Sequence, residues 1–393
     1  MAALCEMFPE APIFTLIYDE KRTNSVFRGR KIHTSFLRKV PGAKKFFRGL
    51  IWLMPLAIEQ FDLSDFDVVI SISHSFGKGI ITKPATKHIC YCLTPTRYLW
   101  HNPGLPFRPL SQFLLTYLRN WDYQAAQRPD YFIACSENVR QRIKKYYNRE
   151  SKVIYPPVET PSGSNSVRSF SAAPAAASDS DSASRLRRGG TFDEQVVGRF
   201  VPLRGNQAKT ASESVHRTTP ARLTSDYFLM VSRLVPYKRL DIAIEAFSKL
   251  PDEKLLIIGD GPEFNKLEAS RSGLKAQNIK FLGQVSDSEL PKYYANCKAL
   301  IFPQEEDFGI VPLEAMALGR PVIAYRAGGA LETVKEGETG VFFDEKTSES
   351  LAAAVKNFNE NKFDSVKIRE HASKFSKESF KKKFTELLSR TLV

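Results

Sequence analysis

The 393-residue sequence contains no apolar run approaching the roughly 18 residues of a membrane-spanning helix, which excludes an ordinary transmembrane span. Its opening residues lack the charged-then-apolar pattern of a secretory signal. Cysteine is scarce. The five residues Cys5, Cys90, Cys92, Cys135 and Cys297 are odd in number and without metal-ligand spacing, so neither a disulfide framework nor a zinc module is expected. Cys90 and Cys92 alternate along a predicted strand and face one way, as a reduced core pair would. A reducing cytoplasm suits this pattern. Zinc-finger spacing and aromatic RNA-binding signatures are missing too, so the net charge of +14 is not read as a nucleic-acid footprint. A phosphorylated substrate or an anionic membrane surface accounts for the excess.

What is present suffices for two domains, each with its own core. From Tyr227 onward, short β-rich runs ("YFLMVSRL", "KLLIIG", "IKFLG", "KALIFP", "PVIAY", "GVFFD") alternate with helical ones such as "KRLDIAIEAFSKL" and "SESLAAAVKNFNEN". Near-continuous apolar strands between amphipathic helices predict βαβ units and a parallel sheet of about six strands, covered on both faces. Ligands of such a sheet lie beyond the carboxyl ends of its strands. The first part of the chain is similar but looser, with predicted strands at 13–19, 67–73, 87–93, 131–136 and 152–158. Helices are expected over 111–128 and 137–147, the second N-capped by Ser136.

Residues 160–224, opening "TPSGSNSVRSFSAAPAAASDSDSASRLRRGG", are rich in Ser, Ala, Gly and Arg. Such a composition buries too little to offset ordering entropy and predicts a disordered insert. The chain therefore divides into an N-terminal Rossmann-like domain (1–159), the insert (160–224), a C-terminal Rossmann-like domain (225–371) and a basic terminal helix (372–393).

The stretch "PQEEDFGIVPLEAMALGRPVIA" (303–324) sets Glu306 and Glu314 eight positions apart. "KALIFP" ends a strand, Pro312 suits the first turn of a helix and Gly319 its end. Glu306 is thus expected on a loop at the sheet's carboxyl edge, with Glu314 in the first helical turn. Between them "DFGIV" offers backbone N–H groups at a helix N-terminus, a site for an anion. Carboxylates beside such a cradle suit hydroxyls, because one carboxylate can accept from two neighbouring hydroxyls. Hydroxyls at both ends and phosphates in the middle describe a nucleotide sugar. The alternative is an acidic loop followed by a glutamate that the helix dipole favours. Upstream, "VSRLVPYKR" (231–239) places Arg233 and Lys238 on a turn at a strand's carboxyl end, aimed at phosphates, or else simply solvated; Arg239 reads as surface. "IIGDGPE" (257–263) ends a strand in a tight turn that Gly259 and Gly261 permit, a generic Rossmann feature.

Glu306 and Glu314, with seven residues between them, together with "GIVPLEAMALGRPVIA" resemble the signature of the retaining glycosyltransferases of family 4. That family has the GT-B fold, two Rossmann-like domains facing a central cleft. The resemblance covers nearly the whole chain outside 160–224. It implies that Glu306 meets hydroxyls of the transferred sugar and Glu314 the ribose of the nucleotide, while backbone amides around Phe308, Gly309, Ile310 and Val311 meet the donor phosphates. Arg233 and Lys238 match the family's diphosphate-binding cations, and Gly259 and Gly261 would lie beside the base and ribose. It further implies hexosyl transfer to a glycan or lipid-linked acceptor without a metal or other cofactor, with GDP-mannose the favoured donor.

In the first domain "ISISHSFGKGI" (70–80) and "CYCLTPTRYLW" (90–100) end strands and would open on the cleft. His74 is either a core imidazole or an acceptor-side group, and Arg97 a candidate acceptor or phosphate contact. "CYCLTPTRYLW" resembles a region of bacterial mannosyltransferase-like members, yet has Leu93 where many carry His and His101 where Asp is frequent. "MAALCEMFPEAPIFTL" reads as the helix and strand that follow the family's first strand and Gly-rich loop, so a truncated N-terminus is expected. Asp65 and Asp67, and Asp179 and Asp181, form Asp-x-Asp pairs away from any carboxyl edge and are not read as metal ligands. Residues 31–55 interleave Lys31, Arg38, Lys39, Lys44, Lys45 and Arg48 with Phe36, Phe46, Phe47, Ile51 and Trp52. This suits either a peripheral segment on the anionic inner membrane face or a helix packed on the sheet. Two rival readings remain: a relative that binds a nucleotide sugar or a partner without turnover, and a nucleotide-sugar epimerase.

Overall fold

The computed structural model describes residues 1–19, 27, 29–42, 47–100, 110–158, 195–198 and 226–391, which form two compact α/β units. The described residues up to Pro157, those at 195–198 and those from Lys377 on make one unit; Val158 and residues 226–376 make the other. Among the described residues no helix is long and apolar enough to cross a membrane.

The N-terminal unit holds β1 (Ile13–Thr15), β2 (Ile32–Thr34), β3 (Val68–Ser73), β4 (Lys87–Cys92), β5 (Tyr131–Ala134), β6 (Lys152–Val153) and β7 (Gln195–Gly198), in the order β2-β1-β7-β3-β4-β5-β6. Neighbours run parallel except β7, which is antiparallel to β1 and β3. Parallel pairing requires crossovers, and the helices Leu110–Ala125 and Glu137–Tyr147 supply two of them. The second helix starts as expected: Ser136 Oγ accepts from the Val139 N–H at 3.0 Å, and Asn148, at φ 52°, ends it. Every residue of β3 is buried, which is why "VVISIS" reads as an inner strand. Cys90 and Cys92 are both buried thiols on β4.

Some expectations need correction. The predicted strand 152–158 contracts to Lys152–Val153, since Pro156 and Pro157 carry no N–H for a ladder. The 31–55 segment is not one helix but β2, the 3-10 turns Phe36–Lys39 and Phe47–Leu53, and the start of the helix Met54–Glu59. Phe36 and Ile51 pack on the core built around Phe14, Leu37, Ile58 and Leu118, while Arg38, Lys39 and Trp52 are exposed. Lys44, Lys45 and Phe46 lie outside the described residues. So do His101, Asp179, Asp181 and all of 160–224 except 195–198. Those four residues form β7; Val196 and Val197 are β-branched, as strands favour.

The C-terminal unit contains β8 (Tyr227–Val231), β9 (Lys254–Ile258), β10 (Ile279–Gly283), β11 (Leu300–Phe302), β12 (Val322–Tyr325) and β13 (Gly340–Phe343), all parallel in the order β10-β9-β8-β11-β12-β13. From β8 the chain winds one way through β9 and β10, then returns and winds the other way from β11. The switch point is therefore the β8–β11 seam. Phe228, Met230, Ile257, Ile301, Ile323 and Phe343 of the sheet form one core with Leu240, Phe247, Leu351 and Val355 of the covering helices.

The basic terminal helix is not a module of its own. Lys377–Thr391 belongs to the N-terminal unit, where Phe380 meets the Tyr91 ring edge-on and Lys377 and Lys381 pair with Glu6. Phe384 is fully buried there and stacks on Phe380. Phe384→Ala is expected to lower the unfolding free energy of this unit by about 3–5 kcal/mol, read by urea denaturation.

Candidate functional site

The site of the C-terminal unit grows from loops at the carboxyl ends of β8, β9, β11 and β12. Lys238 ends a short 3-10 turn, Pro236–Lys238, in the loop after β8. Glu306 stands in the loop after β11. Because β8 and β11 are neighbours, the two side chains meet across the switch point in an ion pair, each 16 % exposed. Arg233 is exposed in the same β8 loop. Arg239 adopts φ 54° and pairs with Asp241, which fits its surface reading.

Two further loops fix these positions. Gly259, at φ 135°, begins the turn after β9, and a Cβ there would overlap the Ser232 carbonyl; one on Gly261 would overlap that of Leu234. The Ser232 N–H donates to the Ile258 carbonyl and the Leu234 N–H to that of Asp260, both at 3.0 Å. These glycines thus have a packing reason: they let the β9 turn lie against the loop that carries Arg233. After β12, the Gly329 N–H donates to the Glu306 carbonyl at 2.8 Å, and a Cβ on Gly329 would collide with the Phe308 backbone. The sequence reading missed Gly329. The adjacent glycines at a strand's carboxyl end, in "PVIAYRAGG", were the available signal.

Gly309, at φ 87°, caps the helix Ile310–Ala317, in which Pro312 sits in the first turn; Gly319, at φ 77°, follows its end. Glu314 is the fifth helical residue, so it lies one turn deeper than expected. Its Oε2 accepts from the Tyr294 hydroxyl at 2.7 Å. Phe308 is buried and its ring packs at 5.9 Å from that of Phe375, so only its backbone can face a ligand. The first N–H groups of Ile310–Ala317 have no partner within the helix, and the dipole adds positive character there. Carboxylates, cations and amide donors therefore gather at one carboxyl edge.

In the N-terminal unit His74 stands in the loop after β3 and Arg97 opens the short helix Arg97–Trp100 after β4, both half-buried. The Leu93 N–H donates to the Ser73 carbonyl at 2.8 Å, and Ser75 Oγ lies 2.9 Å from the Tyr98 hydroxyl. Behind them is a buried ion pair that the sequence reading did not single out. Lys78, 1 % exposed, bonds Asp122, 0 % exposed, at 2.6 Å. Asp122 also accepts from Thr96 Oγ1 at 2.7 Å, Trp100 Nε1 at 2.7 Å and Tyr147 Oη at 2.8 Å. Burial and the Asp122 charge push the Tyr147 phenol well above its ordinary pKa, so it stays a donor. One carboxylate thus ties both segments to the helix that bears it. Asp65 and Asp67 are exposed at the amino end of β3, away from this edge. An open cavity of about 490 Å³ is lined by Thr34, Ser35, Phe36, Arg38, Lys39 and Gln60.

Two doubly wound units with their functional side chains at strand carboxyl ends define a protein of the GT-B fold class. The lipopolysaccharide outer core galactosyltransferase WaaB in its apo form has the same fold, with a TM-score of 0.54 at 17 % identity over 96 % of this chain and 89 % of that one. The family model for glycosyl transferases group 1 matches residues 212–381, and that for glycosyltransferase family 4 matches residues 10–161. The chain belongs to the group 1, family 4 glycosyltransferases. Among similar proteins, a GDP-mannose-dependent alpha-(1-6)-phosphatidylinositol monomannoside mannosyltransferase of Mycolicibacterium smegmatis is 38 % identical over 138 residues, covering 32 % of this chain and 36 % of the relative. The sulfoquinovosyl transferase SQD2 of Arabidopsis thaliana is 37 % identical over 118 residues, covering 29 % of this chain and 22 % of the relative. These matches span about a third or less of either relative's length.

Removing one partner of the buried pair leaves an uncompensated charge. Asp122→Ala is expected to cost roughly 3–5 kcal/mol in urea denaturation, whereas the double substitution Lys78→Met with Asp122→Leu costs less.

Proposed function

We propose that this chain is a retaining hexosyltransferase that moves a sugar, mannose favoured, from a nucleotide donor to a glycan or lipid-linked acceptor. The observation that carries the reading is the meeting of Lys238 and Glu306 at the β8–β11 switch point, beside the amide end of Ile310–Ala317. A cation, helix-end donors and carboxylates converging on one edge fit a molecule with a diphosphate between two polyols. The two relatives described above carry names with different sugars, so the donor class has firmer support than mannose itself.

In this mechanism the acceptor hydroxyl attacks the anomeric carbon on the face from which the diphosphate leaves. The bond from that carbon to the phosphate oxygen breaks, and the acceptor proton passes to the departing phosphate. Negative charge grows on the leaving group. Lys238, Arg233 and the helix-end amides stabilise it, the role a metal would otherwise fill. Glu306 orients the sugar through its hydroxyls and Glu314 holds the ribose. His74 and Arg97 serve the acceptor. The Lys78–Asp122 pair keeps the segments of His74 and Arg97 in register. Exposed Arg38, Lys39 and Trp52 suit an anionic lipid surface, which fits a lipid-linked acceptor.

Incubating the purified protein with a panel of nucleotide sugars and acceptors tests the reading. Released nucleoside diphosphate with an acceptor-linked sugar supports it. Epimerised donor, or binding without turnover, refutes it. Glu306→Gln, Lys238→Met and Glu314→Ala each remove charged hydrogen bonds worth on the order of 1.5–3 kcal/mol, so kcat/KM for the donor is expected to fall about ten- to a hundredfold.

A further inference from the structure

Tyr294 lies on the helix Leu290–Asn296, which follows β10, and is 3 % exposed. A buried phenol needs a hydrogen-bond partner. A backbone carbonyl would satisfy it. Here the hydroxyl instead reaches Oε2 of Glu314 on another helix, Ile310–Ala317, at 2.7 Å. Glu314 is itself half-buried, and its neighbours Leu313, Ala315 and Met316 are all fully buried. A glutamate has three side-chain torsions, so the helix backbone alone does not fix where its carboxylate points. The Tyr294 bond holds that carboxylate from the core side.

The bond also sets what the carboxylate can recognise. Burial and the Glu314 charge raise the Tyr294 phenol well above its ordinary pKa, so the proton stays on the phenol and Glu314 Oε2 accepts the hydrogen bond. A carboxylate anchored through Oε2 favours a ligand whose hydroxyl donors match its position. Loss of a hydroxyl from that ligand leaves a partly desolvated carboxylate short of a partner. The rest of the site supplies the context: the phosphate-facing amides lie at the start of the helix that carries Glu314.

We propose that Tyr294 is a positioning residue that aims Glu314 at the ribose hydroxyls of the donor and thereby makes the site discriminate ribonucleotides from nucleotides lacking those hydroxyls. This rests on the nucleotide-sugar reading above. It adds a determinant that touches no ligand and acts only through Glu314.

The test uses the full chain and titration calorimetry with GDP, UDP and their 2′,3′-dideoxy forms. Wild type is expected to prefer the ribose form of whichever base it binds by about tenfold or more, the scale of a charged hydrogen bond. Tyr294→Phe keeps the buried ring and removes one oxygen. It is expected to erode that preference severalfold, chiefly by weakening the ribose form, and to raise the donor KM with little change in kcat. The double variant Tyr294→Phe with Glu314→Gln should discriminate no less than Glu314→Gln alone, because Tyr294 has no other route to the ligand. An unchanged ribose preference in Tyr294→Phe, whatever its melting temperature, overturns the proposal. So does a further loss of discrimination in the double variant. Absence of nucleoside diphosphate binding by wild type overturns the donor-site reading, and this proposal with it. Binding without ribose preference overturns this proposal and the ribose role of Glu314, and leaves the diphosphate site standing.

Discussion

Lys238 and Glu306, sixty-eight residues apart in sequence, meet because β8 and β11 pair in parallel at the switch point of the C-terminal sheet. Parallel pairing puts both carboxyl ends on one edge, and the reversal of winding leaves a crevice between the loops that follow. Every other element of the site depends on that seam. The β9 turn closes on the Arg233 loop through the Ser232 and Leu234 amides, and the β12 loop holds the Glu306 backbone through the Gly329 amide. Without the seam, a basic turn and an acidic loop would be unrelated surface features.

Glycine and carboxylate divide the work of shaping this edge. Gly259 and Gly329 let backbones approach where a Cβ would collide, so the loops are set by main-chain hydrogen bonds. The carboxylates are then held from behind: Glu306 by Lys238, Glu314 by Tyr294. The N-terminal unit uses the same device more deeply, with Asp122 accepting from Lys78, Thr96, Trp100 and Tyr147. A buried charge satisfied this fully gains orientation more than stability, because desolvating both ions offsets much of their attraction. Orientation is what segments bearing His74 and Arg97 require.

Much of this was legible in the chain. Six apolar runs after Tyr227 became the six strands of the C-terminal sheet, since strands covered on both faces must be apolar along their length. Ser136, Pro312 and Gly319 marked helix ends through local geometry alone. Short-range signals worked less well where the partner was distant. The 31–55 segment read as one amphipathic piece, yet its aromatic residues split between core and solvent. Gly259 and Gly261 read as a tight Rossmann turn, but what lies against them, the carbonyls of Ser232 and Leu234, is set by a loop more than twenty residues away.

The sequence by itself determined two Rossmann-like units, the strand ends that carry Arg233, Lys238 and Glu306, and the helix that carries Glu314, because periodicity and turn chemistry are local. Only the tertiary structure decided which side chains touch. It joined Lys238 to Glu306, Tyr294 to Glu314 and Lys78 to Asp122, and it laid the terminal helix on the N-terminal unit. Strand order and helix packing set those contacts, and neither is written in the spacing of residues along the chain.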